Sequence, residues 1–95
     1  MKNEQLVSLD TLCTHYKIET SFIHSLNDYG LLEITRVDEI ECIDQDNLSE
    51  LESLMNLHYE LHVNMEGIDV INHLLKRMKE MQKEVIMLRN RIERE

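Results

Sequence analysis

The chain has 95 residues, of which 42% are hydrophobic and 31% charged, and its formal net charge is −9. This length fits one small domain, or a small domain with an extended helix, and excludes a two-domain enzyme. No apolar run approaches the roughly 18 residues of a membrane span, and the N-terminus has no apolar signal core, so we expect a cytoplasmic protein.

Two short helices with a tight joint are predicted first. Ser8 and Asp10 supply N-cap chemistry before the segment LDTLCTHY. In the following segment, ETSFIHSLNDYG, apolar residues recur at helical intervals, and Gly30 stands where a helix C-terminus requires a positive φ. The connection spans about residues 15–19, which makes the pair a helix-turn-helix candidate.

The next segment, LLEITRVDEIECI, predicts a small hairpin or wing, because its β-branched residues flank a polar centre at residues 36–39. Asp44 and Asp46 offer caps for a third helix over about residues 46–62. Its predicted apolar face comprises Leu48, Leu51, Leu54, Met55, His58 and Leu61. Asn64 and Gly67 then interrupt the pattern, so we divide the chain into a head, residues 1–66, and a C-terminal helix, residues 67–95.

The C-terminal segment carries an uninterrupted heptad pattern of apolar residues. Its positions are Ile71, Leu74, Met78, Met81, Val85, Leu88 and Ile92. A helix of this length exceeds the width of a head of about 65 residues at 1.5 Å per residue, so the pattern predicts a coiled coil with a second copy of the chain. The alternatives are one amphipathic helix packed on its own head and, for the dimer, either orientation of the two helices.

The charge is distributed unevenly between these two parts. Residues 1–71 hold three Lys and Arg against fifteen Asp and Glu, a net charge of −12, whereas residues 72–95 have a net charge of +3. The predicted protein is therefore an acidic head on a mildly basic helix.

Little in the sequence predicts a catalytic or metal site. His58 and His62 have the i, i+4 spacing of two metal ligands, but Tyr59 stands where the zinc-protease motif requires Glu. Cys13 and Cys42 form no CxxC pair and are expected to be small core residues. No phosphate-binding glycine loop or nucleophile motif is visible. We therefore expect no enzyme, no cofactor and no bound metal.

Direct DNA binding is disfavoured on charge. Specific DNA complexes use roughly 6–10 phosphate contacts, but the head offers three cations. The second helix, which enters the major groove in a helix-turn-helix protein, contains no Arg or Lys. The motif therefore indicates protein recognition, and the alternative is a purely structural helical core.

Three blocks of the sequence resemble one known family. They are the motif LxxLCxHYxI at residues 9–18, DYGLLEI at residues 28–34, and LHYELHVNMEGIDVI at residues 57–71 followed by a basic helix ending in LRNRI. Together they resemble the bacterial chaperone-modulator (CbpM-type) proteins, which are MerR-like helix-turn-helix relatives. The resemblance implies a mainly α, MerR-like winged helix-turn-helix head with a long C-terminal dimerisation helix.

The resemblance also implies a function and a partner. Members of that family bind the J-domain of a DnaJ-type, curved-DNA-binding co-chaperone and restrain both its stimulation of the DnaK-type chaperone and its binding to DNA. The J-domain surface that engages the chaperone is basic, so an acidic head is suited to occupy it. The alternatives are a MerR-like transcriptional regulator whose dimer spans two DNA half-sites, and a structural dimerisation module.

Exposure on the second helix suggests which residues contact the partner. The predicted surface is the polar face of that helix, its two ends and the start of the wing. Its members are Glu19, Ser21, His24, Ser25, Asp28 and Glu33, with Phe22 and Tyr29 as partial anchors. For Phe22 and Tyr29 the alternative is a place in the core.

Overall fold

The computed structural model describes residues 5–94; residues 1–4 and residue 95, the outer ends of the predicted head and helix, lie outside it. The strands and helices of this part are β1 Leu6–Ser8, α1 Leu9–Tyr16, α2 Thr20–Asp28, β2 Thr35–Val37, β3 Ile40–Asp44, α3 Leu48–Met55 and α4 Met65–Arg94. A winged helix-turn-helix head is thus followed by one long helix, which confirms the predicted mainly α fold.

Capping residues fix the helix-turn-helix as the sequence predicts. The Ser8 hydroxyl accepts a hydrogen bond from the backbone N–H of Thr11 and so begins α1. Lys17, in the left-handed region at φ 60°, ends α1. Gly30 has φ 73°, a conformation that favours glycine, and turns the chain after α2. The joint between the two helices is therefore only three residues long.

The predicted wing is a hairpin of β2 and β3. The strands pair antiparallel up to Val37 and Ile40, so Asp38 and Glu39 alone form the turn. Both turn residues are left-handed, with φ 51° and 64°. Two consecutive left-handed residues are the mark of a type I′ hairpin turn, whose twist matches that of the strands.

The sequence analysis did not predict β1. This strand pairs antiparallel with β3, from Leu6 opposite Asp44 to Ser8 opposite Cys42, and completes a sheet of order β1-β3-β2. Because β3 is central in the sheet, its Ile43 is fully buried. The sheet therefore ties the N-terminal end of the head to its wing.

The third helix departs from the prediction at its C-terminal end. After α3 the chain continues into a π-helical turn, Asn56–Glu60, closed by a hydrogen bond from the backbone N–H of Leu61 to the carbonyl of Asn56. The prediction that Leu61 belongs to the buried face is wrong, since Leu61 is 61% exposed. One extra residue in a turn rotates the following side chains by roughly 100°.

One hydrophobic core holds the head together. Its buried members are Leu9, Leu12, Phe22, Ile23, Leu26, Leu31, Leu32, Ile43, Leu51, Leu54 and Ile68. Phe22 is only 5% exposed, and its ring stacks on that of His58 at 4.8 Å between centroids. This corrects the predicted anchor role of Phe22, because a ring at this depth stabilises the head and is not free to contact a partner.

The long helix begins inside the head. Asn64 caps it, since the Asn64 side-chain oxygen accepts a hydrogen bond of 2.7 Å from the backbone N–H of Gly67. The helix starts at Met65, before the predicted boundary at residue 67, and Ile68 is completely buried in the core of the head. The first turns of α4 are thus part of the head.

The remainder of α4 is not covered by any other part of residues 5–94. Every described residue from 73 to 94 is exposed, including the heptad residues Leu74, Met81 and Leu88 at 54–61%. The alternative in which this helix packs on its own head is therefore excluded. None of the helices in residues 5–94 is both long enough and apolar enough to cross a membrane.

Replacing Asn64 by alanine is expected to lower the free energy of unfolding by about 1 kcal/mol, the usual cost of a lost N-cap. The matched control is Asn64→Ser, which retains an oxygen able to accept the Gly67 N–H. Urea unfolding of both variants measures the effect. A loss as large for Asn64→Ser as for Asn64→Ala would contradict a capping role.

Candidate protein-binding groove

A groove separates α2 from the wing, and we call it the wing groove. Its lining residues come from the start of α1, from α2 and from the hairpin. They are Ser8, Leu9, Asp10, Thr20, His24, Arg36, Glu39, Ile40 and Glu41. The volume is about 420 Å³. In a winged helix-turn-helix head, this is the side on which the second helix and the wing approach a ligand.

One carboxylate connects the two walls of the wing groove. Glu41, on β3, accepts a hydrogen bond of 2.8 Å from Nε2 of His24 on α2 and another of 3.2 Å from the guanidinium of Arg36 on β2. The bond from His24, together with the charges of His24 and Arg36, lowers the pKa of Glu41 below its usual range. Glu41 therefore fixes the wing against α2 and neutralises the one cation of the wing.

The wing groove is acidic overall. It holds the carboxylates of Asp10, Glu39 and Glu41 against the single guanidinium of Arg36. Glu39 occupies a left-handed turn position that favours glycine, and a residue with a side chain costs roughly 1 kcal/mol in this conformation. The stability of the turn therefore does not account for a glutamate at this position. Ile40 beside it is 55% exposed and offers an apolar contact at the rim.

This arrangement determines what the groove can bind. A duplex would bring phosphates against three carboxylates, and the α2 wall supplies no Lys or Arg to offset them. A protein surface rich in Lys and Arg would find both complementary charge and one apolar contact. The chemistry of the groove thus favours a basic protein over nucleic acid.

The predicted contact residues are spread along α2, and only one of them lies in the wing groove. His24 lines it. Glu19 and Ser21 lie at the start of α2, where the Ser21 hydroxyl donates a hydrogen bond of 3.2 Å to Glu19. Ser25 is half-buried, and Asp28 is exposed at the end of the helix.

The last two predicted residues lie beyond α2. Tyr29 is 39% exposed, and its hydroxyl donates a hydrogen bond of 3.1 Å to Glu66 at the start of α4. That bond raises the pKa of Tyr29 and joins α2 to the long helix. Glu33 is exposed in the turn before the wing. The structure therefore brings Tyr29 to the α2–α4 joint, and Glu33 does not line the wing groove.

The sequence analysis missed Asp10, Glu39, Ile40 and Glu41 as site residues. The signal was present, because VDEIE is an acidic run at the tip of a predicted hairpin. What the sequence did not show is the pairing of strands that places Glu41 against His24 of α2.

Of the histidines and cysteines weighed as ligands, His58, Cys13 and Cys42 pack in or against the head, whereas His62 is exposed. His58 donates a hydrogen bond through Nδ1 to the carbonyl of Val63, at 3.1 Å, and stacks on Phe22. Cys42 is buried and Cys13 half-buried against the core. Burial, with a smaller contribution from Asp10, raises the pKa of the Cys13 thiol. No group of three or more potential metal ligands occurs within residues 5–94.

The pH dependence of stability should reflect Glu41. Because its pKa is lowered in the folded protein, its stabilising contribution is complete above the unfolded carboxyl pKa of about 4.3 and is lost as the pH falls through the lowered value. We expect the difference in the free energy of unfolding between the wild type and Glu41→Gln to shrink as the pH falls below the unfolded carboxyl pKa and through the lowered pKa of Glu41. Glu39→Gln controls for loss of a wing carboxylate. A difference that grows on acidification would contradict this role.

Comparison with models of protein families gives a match over most of the chain. A family model described as "MerR HTH family regulatory protein" matches residues 7–90. The matched range includes all residues of the wing groove and runs far into the exposed part of α4. No curated protein and no solved structure matched the chain.

Proposed function

We propose that the winged head of this protein regulates another protein by binding to a basic surface on that partner. The proposal of a regulatory role starts from the family, since this chain belongs to the MerR helix-turn-helix family of regulatory proteins. The observation that carries this proposal is the wing groove. Where a DNA-binding relative needs cations, this groove has three carboxylates, and its only guanidinium is held by Glu41.

The proposed partner is the J-domain of a DnaJ-type co-chaperone, and the proposed effect is inhibition of that co-chaperone without catalysis. The resemblance of residues 57–71 to the chaperone modulators supports this choice of partner. Charge supports it as well, since an acidic head is complementary to the basic J-domain surface that engages the chaperone. Competition for that one surface is the simplest mechanism, and electrostatic steering would speed the encounter.

We propose that two copies of the chain associate through α4. Six of the seven heptad residues, those from Leu74 to Ile92, are exposed in the single protomer, and burying them against the same residues of a second copy is the economical arrangement. A dimer would present two acidic heads, so one modulator dimer would be able to hold two partner domains.

Calorimetric titration with the J-domain of the same organism tests the proposal. We expect saturable binding that weakens when the salt concentration is raised, because the contact is largely electrostatic. Glu39→Lys should weaken binding by about two- to fivefold, the size of one exposed charge interaction. The matched control is Glu80→Lys, the same charge change on the exposed part of α4. Absence of heat at either salt concentration, with both proteins folded, would overturn the proposal.

The second candidate is a MerR-like DNA-binding regulator, which the description of the matched family favours. A regulator of this kind should retard a DNA duplex at moderate salt, with an affinity that falls steeply as salt rises. The head would have to overcome its own net charge of −12 over residues 1–71. A gel-shift titration with the same protein preparation decides between the two candidates.

A further inference from the structure

A second groove lies between the helix-turn-helix joint and the end of α3, and it shares no lining residue with the wing groove. Its walls are Tyr16, Ile18, Met55 and Tyr59, its rim carries Glu52 and Glu60, and its volume is about 450 Å³. We call it the Tyr59 groove. Nothing in the proposed function above uses it.

The aromatic wall of this groove is held rigidly. Tyr59 belongs to the π-helical turn and is 40% exposed. Its ring packs edge-on against Phe22 and His58, at 5.1 and 4.8 Å between centroids. A half-exposed ring that is already fixed loses little conformational freedom on binding, which is the property of interface anchors. Turns of this π-helical kind also occur frequently at functional sites.

The rim supplies negative charge in a fixed position. The Tyr16 hydroxyl donates a hydrogen bond of 2.7 Å to Oε2 of Glu52, which orients that carboxylate while its second oxygen can accept from a ligand. Glu60 adds a second carboxylate, against the one cation of this groove, Lys17. Apolar walls between two carboxylates complement a segment that has an apolar face flanked by Lys or Arg.

We infer that the Tyr59 groove receives a basic amphipathic helix of the partner protein, so that the head contacts its partner at two places. The apolar face of that helix packs on Tyr59 and Met55, and its flanking cations pair with Glu52 and Glu60. This inference rests on the proposed function, since it assigns a second contact to the same partner.

The test compares three variants in calorimetric titration with the J-domain. Tyr59→Ala should weaken binding at least about tenfold, the loss typical of an aromatic anchor. Tyr59→Phe retains the ring and should bind like the wild type. Glu60→Lys changes an exposed residue outside the core and should weaken binding without loss of thermal stability, which keeps the test valid if Tyr59→Ala is poorly folded. Unchanged binding by both Tyr59→Ala and Glu60→Lys would overturn the inference and leave the proposed function intact.

A designed helical peptide of Leu and Lys, with Leu at positions i, i+3, i+4 and i+7, probes the groove without the J-domain. If the wild type does not bind the J-domain, the proposed function is wrong. In that case, binding of the peptide by the wild type but not by Tyr59→Ala would still support the assignment of this groove to a basic helix. Failure to bind this peptide would overturn the groove assignment in that case. Light scattering of Tyr59→Ala tests whether the groove instead binds a second copy of the chain. If this variant becomes a monomer while its binding to the J-domain is unchanged, the groove belongs to the contact between copies and the inference is contradicted.

Discussion

Replacing Ile68 by alanine is expected to destabilise the protein by about 2–5 kcal/mol, the range for truncating a fully buried aliphatic side chain. Ile68 is completely buried, and it is the one residue of α4 in the core cluster of the described head. The loss has two causes: a cavity opens in the core, and the attachment of α4 to the head weakens. A small domain has only about 5–15 kcal/mol of total stability, so this loss is a large share of the total.

Urea unfolding at a fixed protomer concentration measures this effect, because the stability of an associating protein depends on concentration. The matched control is Val70→Ala, two residues along the same helix, where the side chain is 57% exposed. That variant should lose less than about 1 kcal/mol, as is usual for surface substitutions. Equal losses at the two positions would show that the head does not hold α4 through Ile68.

Replacing Leu88 by lysine should prevent formation of the dimer that we propose. Leu88 is a heptad residue, 54% exposed in the single protomer, and in a coiled coil two lysines would meet in the apolar interface without a partner charge. We expect the dissociation constant of the dimer to rise at least about 100-fold, which corresponds to about 2.7 kcal/mol. Analytical ultracentrifugation over a range of protein concentrations measures this change.

Met87→Lys is the control for that experiment. Met87 is 63% exposed and adjoins Leu88, but it lies outside the heptad positions, so the same charge is introduced away from the seam. The variant should remain a dimer. If Met87→Lys dissociates the protein and Leu88→Lys does not, the helices associate through a different face and the heptad prediction is wrong.

Most of the fold could be predicted because the signals are local. The caps at Ser8 and Asp44, the glycine at position 30 and the apolar periodicity of the helices each act within a few residues of the chain. Capping and helical periodicity are short-range properties that a single sequence displays. The helix-turn-helix, the wing and the long helix followed from them.

The missed features depend on distant contacts. β1 has three residues, too few for a periodic signal, and it exists because Leu6 pairs with Asp44. The π-helical turn that precedes Leu61 carries His58 and Tyr59, whose rings pack against Phe22 of α2, far away in the sequence. The same limit applies to the wing groove, since the bonds of Glu41 to His24 and Arg36 join three elements. The composition showed that the head is acidic, but it did not show that three of its carboxylates line one groove.

The most direct test of the account is the rate of ATP hydrolysis by the DnaK-type chaperone when the DnaJ-type co-chaperone stimulates it. We predict that a molar excess of this protein suppresses the stimulated part of the rate and leaves the basal rate of the chaperone alone unchanged. Glu39→Lys should require a higher concentration for the same suppression. Undiminished stimulation at saturating excess, with the protein folded, would contradict the account.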